Sequence, residues 1–153
     1  MTTTIAPQLT VKRTFGAPRA LVYRAFTDPD QFSAWWGPIG NYLPRDGIDV
    51  DIRPGGYLRW REEFPADPDI WTHGSLDLTD VVEGELLAGT MRIAGQLPMG
   101  FEPFETRIRI EFHDEPEGRT RLEVSQWLPE DLVSPSENGW GESFSKLDAV
   151  LAR

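Results

Sequence analysis

Residues 134–151 read SPSENGWGESFSKLDAVL, and this stretch decides the fold. It opens with Ser134, Pro135 and Glu137, which combine an N-cap, a first-turn proline and a capping-box glutamate and so predict the start of a helix. One apolar stripe then runs to the C-terminus and comprises Trp140, Phe144, Leu147 and Leu151. Such a stripe has to be covered by another apolar surface, so the preceding residues should form a sheet with one apolar face.

Period-two alternation through the middle of the chain predicts that sheet. We place strands at 9–15, in two segments of 46–63 that turn at 54–56, and near 70–82, 85–93, 104–114 and 119–128. The inward residues of the last two strands are predicted as Phe104, Thr106, Ile108, Ile110 and Phe112, and as Thr120, Leu122, Val124, Gln126 and Leu128. Short connections favour an antiparallel meander of about six strands, whose twist curls it beneath the helix and leaves a hollow.

Two short helices are predicted near the N-terminus. The first spans 18–27, with a stripe of Leu21, Val22, Ala25 and Phe26. Asp28 caps the second, which carries the adjacent indoles of Trp35 and Trp36 in SAWWGP and ends at Gly37. Neighbouring helical residues point about 100° apart, so one indole is expected in the wall beneath the last helix and its neighbour at the pocket entrance or the adjoining turn. The sequence leaves open which indole is which.

Composition limits the class of protein. A chain of 153 residues is expected to form one domain over 1–153, with residues 1–8 as a flexible tail. No cysteine is present, and the formal charge of −10 opposes nucleic-acid binding. Neither a signal peptide nor an apolar run of membrane-spanning length is visible, which predicts a soluble, cytoplasmic protein.

Four segments in this order resemble one known family: RTFGAPRALVYRAFTDPDQFSAWWGP, IDVDIRPGGYLRW, GRTRLEVSQWLP and ENGWGESFSKLDAVL. They are similar to the activator of heat-shock-protein-90 ATPase homologue-like family, which belongs to the START-related (SRPBCC) ligand-binding superfamily. The resemblance implies the helix-grip form of an α+β fold, with an internal cavity and no cofactor. Many relatives carry a histidine where Gln126 stands, so this chain departs from them at an inward position and offers less support for acid-base catalysis there.

The predicted ligand-lining residues are Trp35 or Trp36, Trp60, Gln126, Trp140 and Phe144. His73 lies in DIWTHGSL, where alternation does not settle which face points inward. The sequence allows two orientations for the Arg92 side chain. Pointing inward, it would pair with Glu62 or hold a ligand carboxylate, whereas a shift of one residue turns it outward and packs Leu87 and Met91.

Other features indicate no catalytic or metal site. His113 is predicted to face solvent with Glu111 and Arg109, and neither histidine lies in a metal-binding motif. The paired acids in REEF and LPED are interpreted as solvated turns. The connection 94–103 is long and apolar, so Leu97, Met99 and Phe101 are expected either to cap the pocket or to bury against a second subunit in a homodimer.

Three functions remain open from the sequence. The first is binding of a small hydrophobic or amphipathic ligand between the last helix and the sheet. The second is binding to a chaperone and raising its ATPase rate, as the family resemblance implies. The third is a cofactor-free, cyclase-like enzyme that uses a pocket carboxylate or His73 as a general base.

Overall fold

The computed structural model describes residues 5–98 and 101–153, which form an α+β fold around an open, antiparallel, seven-stranded sheet. Its strands are β1 (Leu9–Phe15), β2 (Asp49–Asp51), β3 (Tyr57–Glu63), β4 (Trp71–Val82), β5 (Leu86–Gln96), β6 (Phe104–Glu115) and β7 (Arg119–Trp127). Its α-helices are α1 (Arg19–Thr27), α2 (Pro29–Trp35) and α3 (Val133–Leu151). This is the helix-grip arrangement expected from the sequence.

The strand order is β1-β7-β6-β5-β4-β3-β2. Strands β2 to β7 form a meander, and β1 pairs with the last strand, β7, at the opposite edge from β2. The meander β2–β7 thus has the six strands that the sequence favoured, including the short β2 predicted before the turn at 54–56, and β1 brings the sheet to seven.

One face of the sheet is apolar and the other is charged. The predicted inward residues of β6 and β7 are confirmed: Ile108, Ile110, Leu122 and Val124 are each at most 2% exposed. On the outer face, arginines pair with carboxylates of the same or a neighbouring strand; Arg121 of β7, for example, pairs with Glu115 on β6 and with Glu123 on β7. This division is what a sheet covered on one side requires.

The N-terminal helices close one end of the apolar face. Val22, Ala25 and Phe26 of α1 are fully buried, but Leu21, predicted in the same stripe, is 47% exposed. The Asp28 carboxylate accepts a hydrogen bond from the Asp30 backbone N–H at 2.9 Å and caps α2, as predicted.

Helix α3 lies across the apolar face. It begins at Val133 because a 3-10 turn, Glu130–Leu132, runs directly into it, so the predicted cap at Ser134 is wrong. Trp140, Phe144 and Leu147 of its stripe are buried, and the Phe144 ring meets that of Phe15 on β1 edge to face, with 5.6 Å between centroids. The stripe therefore packs as the sequence predicted.

The N-terminal segment is attached to β7 from residue 5 onward. Trp127 donates its indole N–H to the Ile5 carbonyl at 2.6 Å, and the Gln8 N–H donates to the Gln126 carbonyl at 3.1 Å. Residues 5–8, expected to belong to a flexible tail, thus make specific contacts, while residues 1–4 of that tail lie outside the described residues.

Candidate functional site

A pocket of about 280 Å³ lies between α3 and the apolar face of the sheet. Its walls come from α3, from strands β3 to β7, from the segment after α2 and from the connection between β5 and β6. Its lining includes Trp36, Trp60, Glu62, Thr72, Gln126 and Trp140, with Gly37, Pro38, Gly139 and Ser143. Leu97 and Phe101 also line it, and Met99, predicted beside them, lies outside the described residues.

Three indoles form a continuous aromatic wall. The Trp36 ring lies edge to face against Trp60, at 5.0 Å between centroids, and against Trp140, at 5.3 Å. Trp60 fits because its partner across the β3–β4 pair is Gly74, whose missing side chain leaves the space that the indole occupies. The glycine on β4 and the tryptophan on β3 therefore shape the pocket together.

The two indoles of SAWWGP have different environments. Trp35 is fully buried and donates its N–H to the Ala25 carbonyl at 2.8 Å, which fixes it between α1 and α2 away from the pocket. Trp36 follows the end of the helix, stacks on Phe32 at 4.8 Å and lines the pocket. The question left open by the sequence is thus answered with Trp36 at the hollow and Trp35 in the core.

Gln126 places an amide at the pocket wall. Its side chain is 1% exposed, and its Oε1 accepts the indole N–H of Trp140 at 2.7 Å. Among the residues described, no other hydrogen bond of this side chain is found, and its amide nitrogen therefore retains the capacity to donate.

Glu62 is the buried carboxylate of the pocket, and the sequence interpretation of REEF as a solvated turn is wrong for it. The residue is 9% exposed, and its two oxygens accept hydrogen bonds from Asn41 Nδ2 at 2.5 Å and Thr72 Oγ1 at 3.3 Å. Burial raises the pKa of the Glu62 carboxyl above its usual value, although both donors and the charge of Lys146 act in the opposite direction. The alternation of β3 could have predicted that Glu62 points inward, because Leu58, Trp60 and Glu62 share one face of this strand.

Asn41 connects Glu62 to helix α3. Its Nδ2 also donates to the Trp36 carbonyl at 2.8 Å, and its Oδ1 accepts from Lys146 Nζ at 2.7 Å. Lys146 also donates to the Pro38 carbonyl at 3.1 Å, and partial burial lowers the pKa of its ammonium group. We call Asn41, Glu62, Thr72 and Lys146 the polar cluster; the sequence analysis did not identify it.

Four of the predicted site residues line the pocket: Trp36, Trp60, Gln126 and Trp140. Phe144 and Trp35 are at most 1% exposed and pack in the core instead, since their rings are enclosed by other aromatic side chains.

His73 and Arg92 lie on the outer face of the sheet, so neither lines the pocket between α3 and the sheet. Thr72 and Gly74 are buried on the inner face of β4, which turns His73 outward. On β5, Leu87 and Met91 are buried, and Arg92 pairs with Asp77 and Glu105 at the surface. The inward orientation of Arg92 and its pairing with Glu62 are therefore wrong.

Glu111, His113 and Glu123 come together on the outer face, within the span that metal ligands occupy. Both carboxylates already pair with guanidinium groups: Glu111 with Arg109 at 3.3 Å and Glu123 with Arg121 at 2.9 Å. We therefore interpret this group as part of the outer ion-pair network.

In the described parts of the chain, no helix is both long and apolar enough to cross a membrane.

Comparison with known proteins agrees with this geometry. No curated protein matches the chain. A protein of Chromobacterium violaceum has 24% identity and a TM-score of 0.77 over 95% of this chain and 97% of that chain. A protein of Mycobacterium smegmatis has 22% identity and a TM-score of 0.77, over 94% and 90% of the two chains. A Silicibacter pomeroyi protein named after the family has 22% identity and a TM-score of 0.76, over 94% and 96%.

These similarities show a shared fold. The family model described as "Activator of Hsp90 ATPase homolog 1-like protein" matches residues 16–152, which is nearly the whole chain. The chain therefore belongs to this family.

Proposed function

We propose that this protein binds a small hydrophobic or amphipathic molecule in the pocket between α3 and the sheet. The observation that carries the proposal is the combination of three indoles with a few polar groups, Glu62, Thr72 and Gln126, around one opening. Apolar walls with a small number of placed polar groups are typical of small-molecule sites.

The size of the pocket indicates the size of the ligand. Its volume of about 280 Å³ is just below the roughly 300–1,000 Å³ that is usual for such sites. Compounds with one or two rings are therefore the appropriate class to test first.

A pair of glycines on α3 provides the test. Gly139 lines the pocket, and a Cβ added there would meet no atom within 4 Å, so Gly139→Leu places its side chain in the space where a ligand would bind. Gly141 is exposed on the same helix and has equally open surroundings, so Gly141→Leu is the matched control. Both changes replace a glycine inside a helix with a good helix former and should preserve or raise stability.

The measurement is thermal unfolding with a panel of one- and two-ring apolar compounds, including naphthylmethanol. A ligand at a hundredfold excess over its Kd stabilises by about 2.7 kcal/mol, which raises Tm by roughly 5–10 °C in a chain of this length. We expect this shift in the wild type and in Gly141→Leu, and its loss in Gly139→Leu. Absence of any shift across the panel, or equal shifts in all three proteins, would overturn the proposal.

The family description favours a second candidate, stimulation of a chaperone ATPase. This activity can be assayed directly by adding the protein to purified Hsp90 and measuring ATP hydrolysis. An increase that Gly139→Leu leaves unchanged would place that activity outside the pocket, whereas no increase would exclude it for the chaperone tested.

A further inference from the structure

The charge of the pocket lining comes from one acid. Among the described residues that line the pocket, Glu62 is the one with an ionisable side chain; the others are aromatic, aliphatic, methionine, glycine, proline, hydroxyl or amide residues. Lys146 lies behind Asn41, where its ammonium group donates to the Pro38 carbonyl and the Asn41 amide, and it does not line the pocket. A bound molecule would therefore meet a carboxyl group without a facing cation.

The hydrogen bonds of Glu62 leave it able to accept more. Each carboxylate oxygen has two lone-pair directions, and each receives one hydrogen bond, from Asn41 and from Thr72. The raised pKa of this buried acid indicates that these donors and the charge of Lys146 do not fully offset the cost of burying the charge. A further donor beside the carboxylate would reduce that cost.

We propose that the pocket selects molecules that present a hydroxyl or ammonium group to Glu62 and that it rejects molecules carrying a carboxylate. This inference rests on the proposed function and specifies the chemical class of its ligand. A ligand ammonium forms a charge-assisted hydrogen bond with the carboxylate, whereas a ligand carboxylate adds a second negative charge in surroundings that screen it poorly.

The position of Arg92 supports the same selection. The sequence offered this arginine as an anchor for a ligand carboxylate, but its guanidinium pairs with Asp77 and Glu105 on the outer face. The polar groups at the pocket wall other than Glu62 are uncharged, namely Thr72, Gln126, Ser136 and Ser143. No lining side chain in the described part of the chain provides the cation that recognition of a carboxylate usually requires.

The test uses four naphthalene derivatives substituted at the same ring position: naphthylmethylamine, naphthylmethanol, methylnaphthalene and naphthoate. Their Kd values for the wild-type protein are measured at neutral pH by isothermal titration calorimetry, with the shift in thermal unfolding as a check. We expect the amine to bind at least about tenfold more tightly than methylnaphthalene, the alcohol to lie between them, and naphthoate to bind most weakly.

The variant Glu62→Gln removes the charge but keeps the shape of the side chain. It should cancel most of the preference for the amine and bring naphthoate close to methylnaphthalene. Glu63→Gln is the matched control, because Glu63 is the next residue on β3, lies outside the pocket lining and changes the net charge equally. It should preserve the wild-type order of affinities. Circular dichroism establishes whether both variants fold. If Glu62→Gln does not fold, the order of affinities of the four compounds for the wild type still decides whether the pocket prefers the amine to the carboxylate.

The outcomes separate this inference from the proposed function. Binding of all four compounds with similar Kd, or tightest binding of naphthoate, would overturn the selection by Glu62 while leaving a ligand-binding pocket. Equal loss of the amine preference in Glu62→Gln and Glu63→Gln would also overturn it, because the effect would then come from net charge. Failure of all four compounds to bind would count against the pocket as a ligand site and against this inference with it.

Discussion

Replacing Gly37 with alanine tests how the polar cluster is held together. Gly37 adopts a φ of +91°, and a Cβ at this position would overlap Glu62 Oε2 and Asn41 Nδ2. The substitution therefore imposes an unfavourable backbone conformation and also forces apart the two side chains joined by the 2.5 Å hydrogen bond. Gly40, in the same loop, has a φ of +95° but no atom within 4 Å of an added Cβ, so Gly40→Ala carries the backbone cost alone.

The expected magnitudes follow from these two differences. A left-handed backbone conformation costs an alanine about 1–2 kcal/mol, and this cost is common to both variants. Loss of a buried hydrogen bond to a charged group adds about 1.5–3 kcal/mol for Gly37→Ala. We therefore expect unfolding free energies lower by about 1–2 kcal/mol for Gly40→Ala and by about 2.5–5 kcal/mol for Gly37→Ala.

Urea unfolding followed by tryptophan fluorescence measures both unfolding free energies, and the midpoints are compared with one shared m-value, the dependence of the unfolding free energy on urea concentration. Equal destabilisation of the two variants would refute the reasoning, since it would mean that the cluster adjusts to the extra methyl group at no cost.

Three further predictions address the acid, the core and the aromatic wall. Because the pKa of Glu62 is raised above 4.5 in the folded protein, the contribution of this group to stability is present at low pH and is lost as pH rises through the folded pKa. Relative to Glu62→Gln, the wild type should therefore be more stable near pH 4 than near pH 8. Urea midpoints of both proteins at the two pH values measure this difference, and parallel changes in the two proteins would contradict it. Phe144→Ala should lower the unfolding free energy by about 3–5 kcal/mol because the ring is 1% exposed and packs on Phe15; a loss below about 1 kcal/mol would mean that α3 does not anchor the core. Gly74→Ala should displace the Trp60 indole, cost about 1–3 kcal/mol and change the near-ultraviolet circular dichroism, whereas an unchanged spectrum would show that the glycine does not shape the wall.

How far the sheet could be predicted depended on the chemical contrast between its two faces. In β6, charged residues alternate with Ile108, Ile110 and Phe112, so the inward set followed directly from the sequence. In β5, the segment LLAGTMRIA has small or apolar residues in both phases, and the β4–β5 register shifts between Leu78 and Asp80. Period-two reasoning therefore left the direction of Arg92 undecided until the structure determined it.

The site was predictable where it depended on local pattern. Trp60, Gln126 and Trp140 follow from alternation or helical spacing combined with a choice of face, whereas helical spacing does not distinguish Trp36 from Trp35. Glu62 obeys the same alternation as Trp60, but REEF was interpreted as a solvated turn because glutamates are generally solvated, and an inward Glu62 was considered only as a partner of Arg92. The contact between Asn41 and Lys146 joins residues 105 positions apart, from a loop and from the last helix, and no local pattern marks such a pair.

The three carbonyl groups that follow α2 connect SAWWGP to the pocket. The Trp36 carbonyl accepts from Asn41 at 2.8 Å, the Gly37 carbonyl from Ser143 at 2.9 Å and the Pro38 carbonyl from Lys146 at 3.1 Å. Two of these donors lie on α3, so the loop fixes the helix above the sheet. A ligand too large for the pocket would have to break both bonds to lift α3. The width of the pocket is therefore set by this loop as well as by the apolar stripe of the helix.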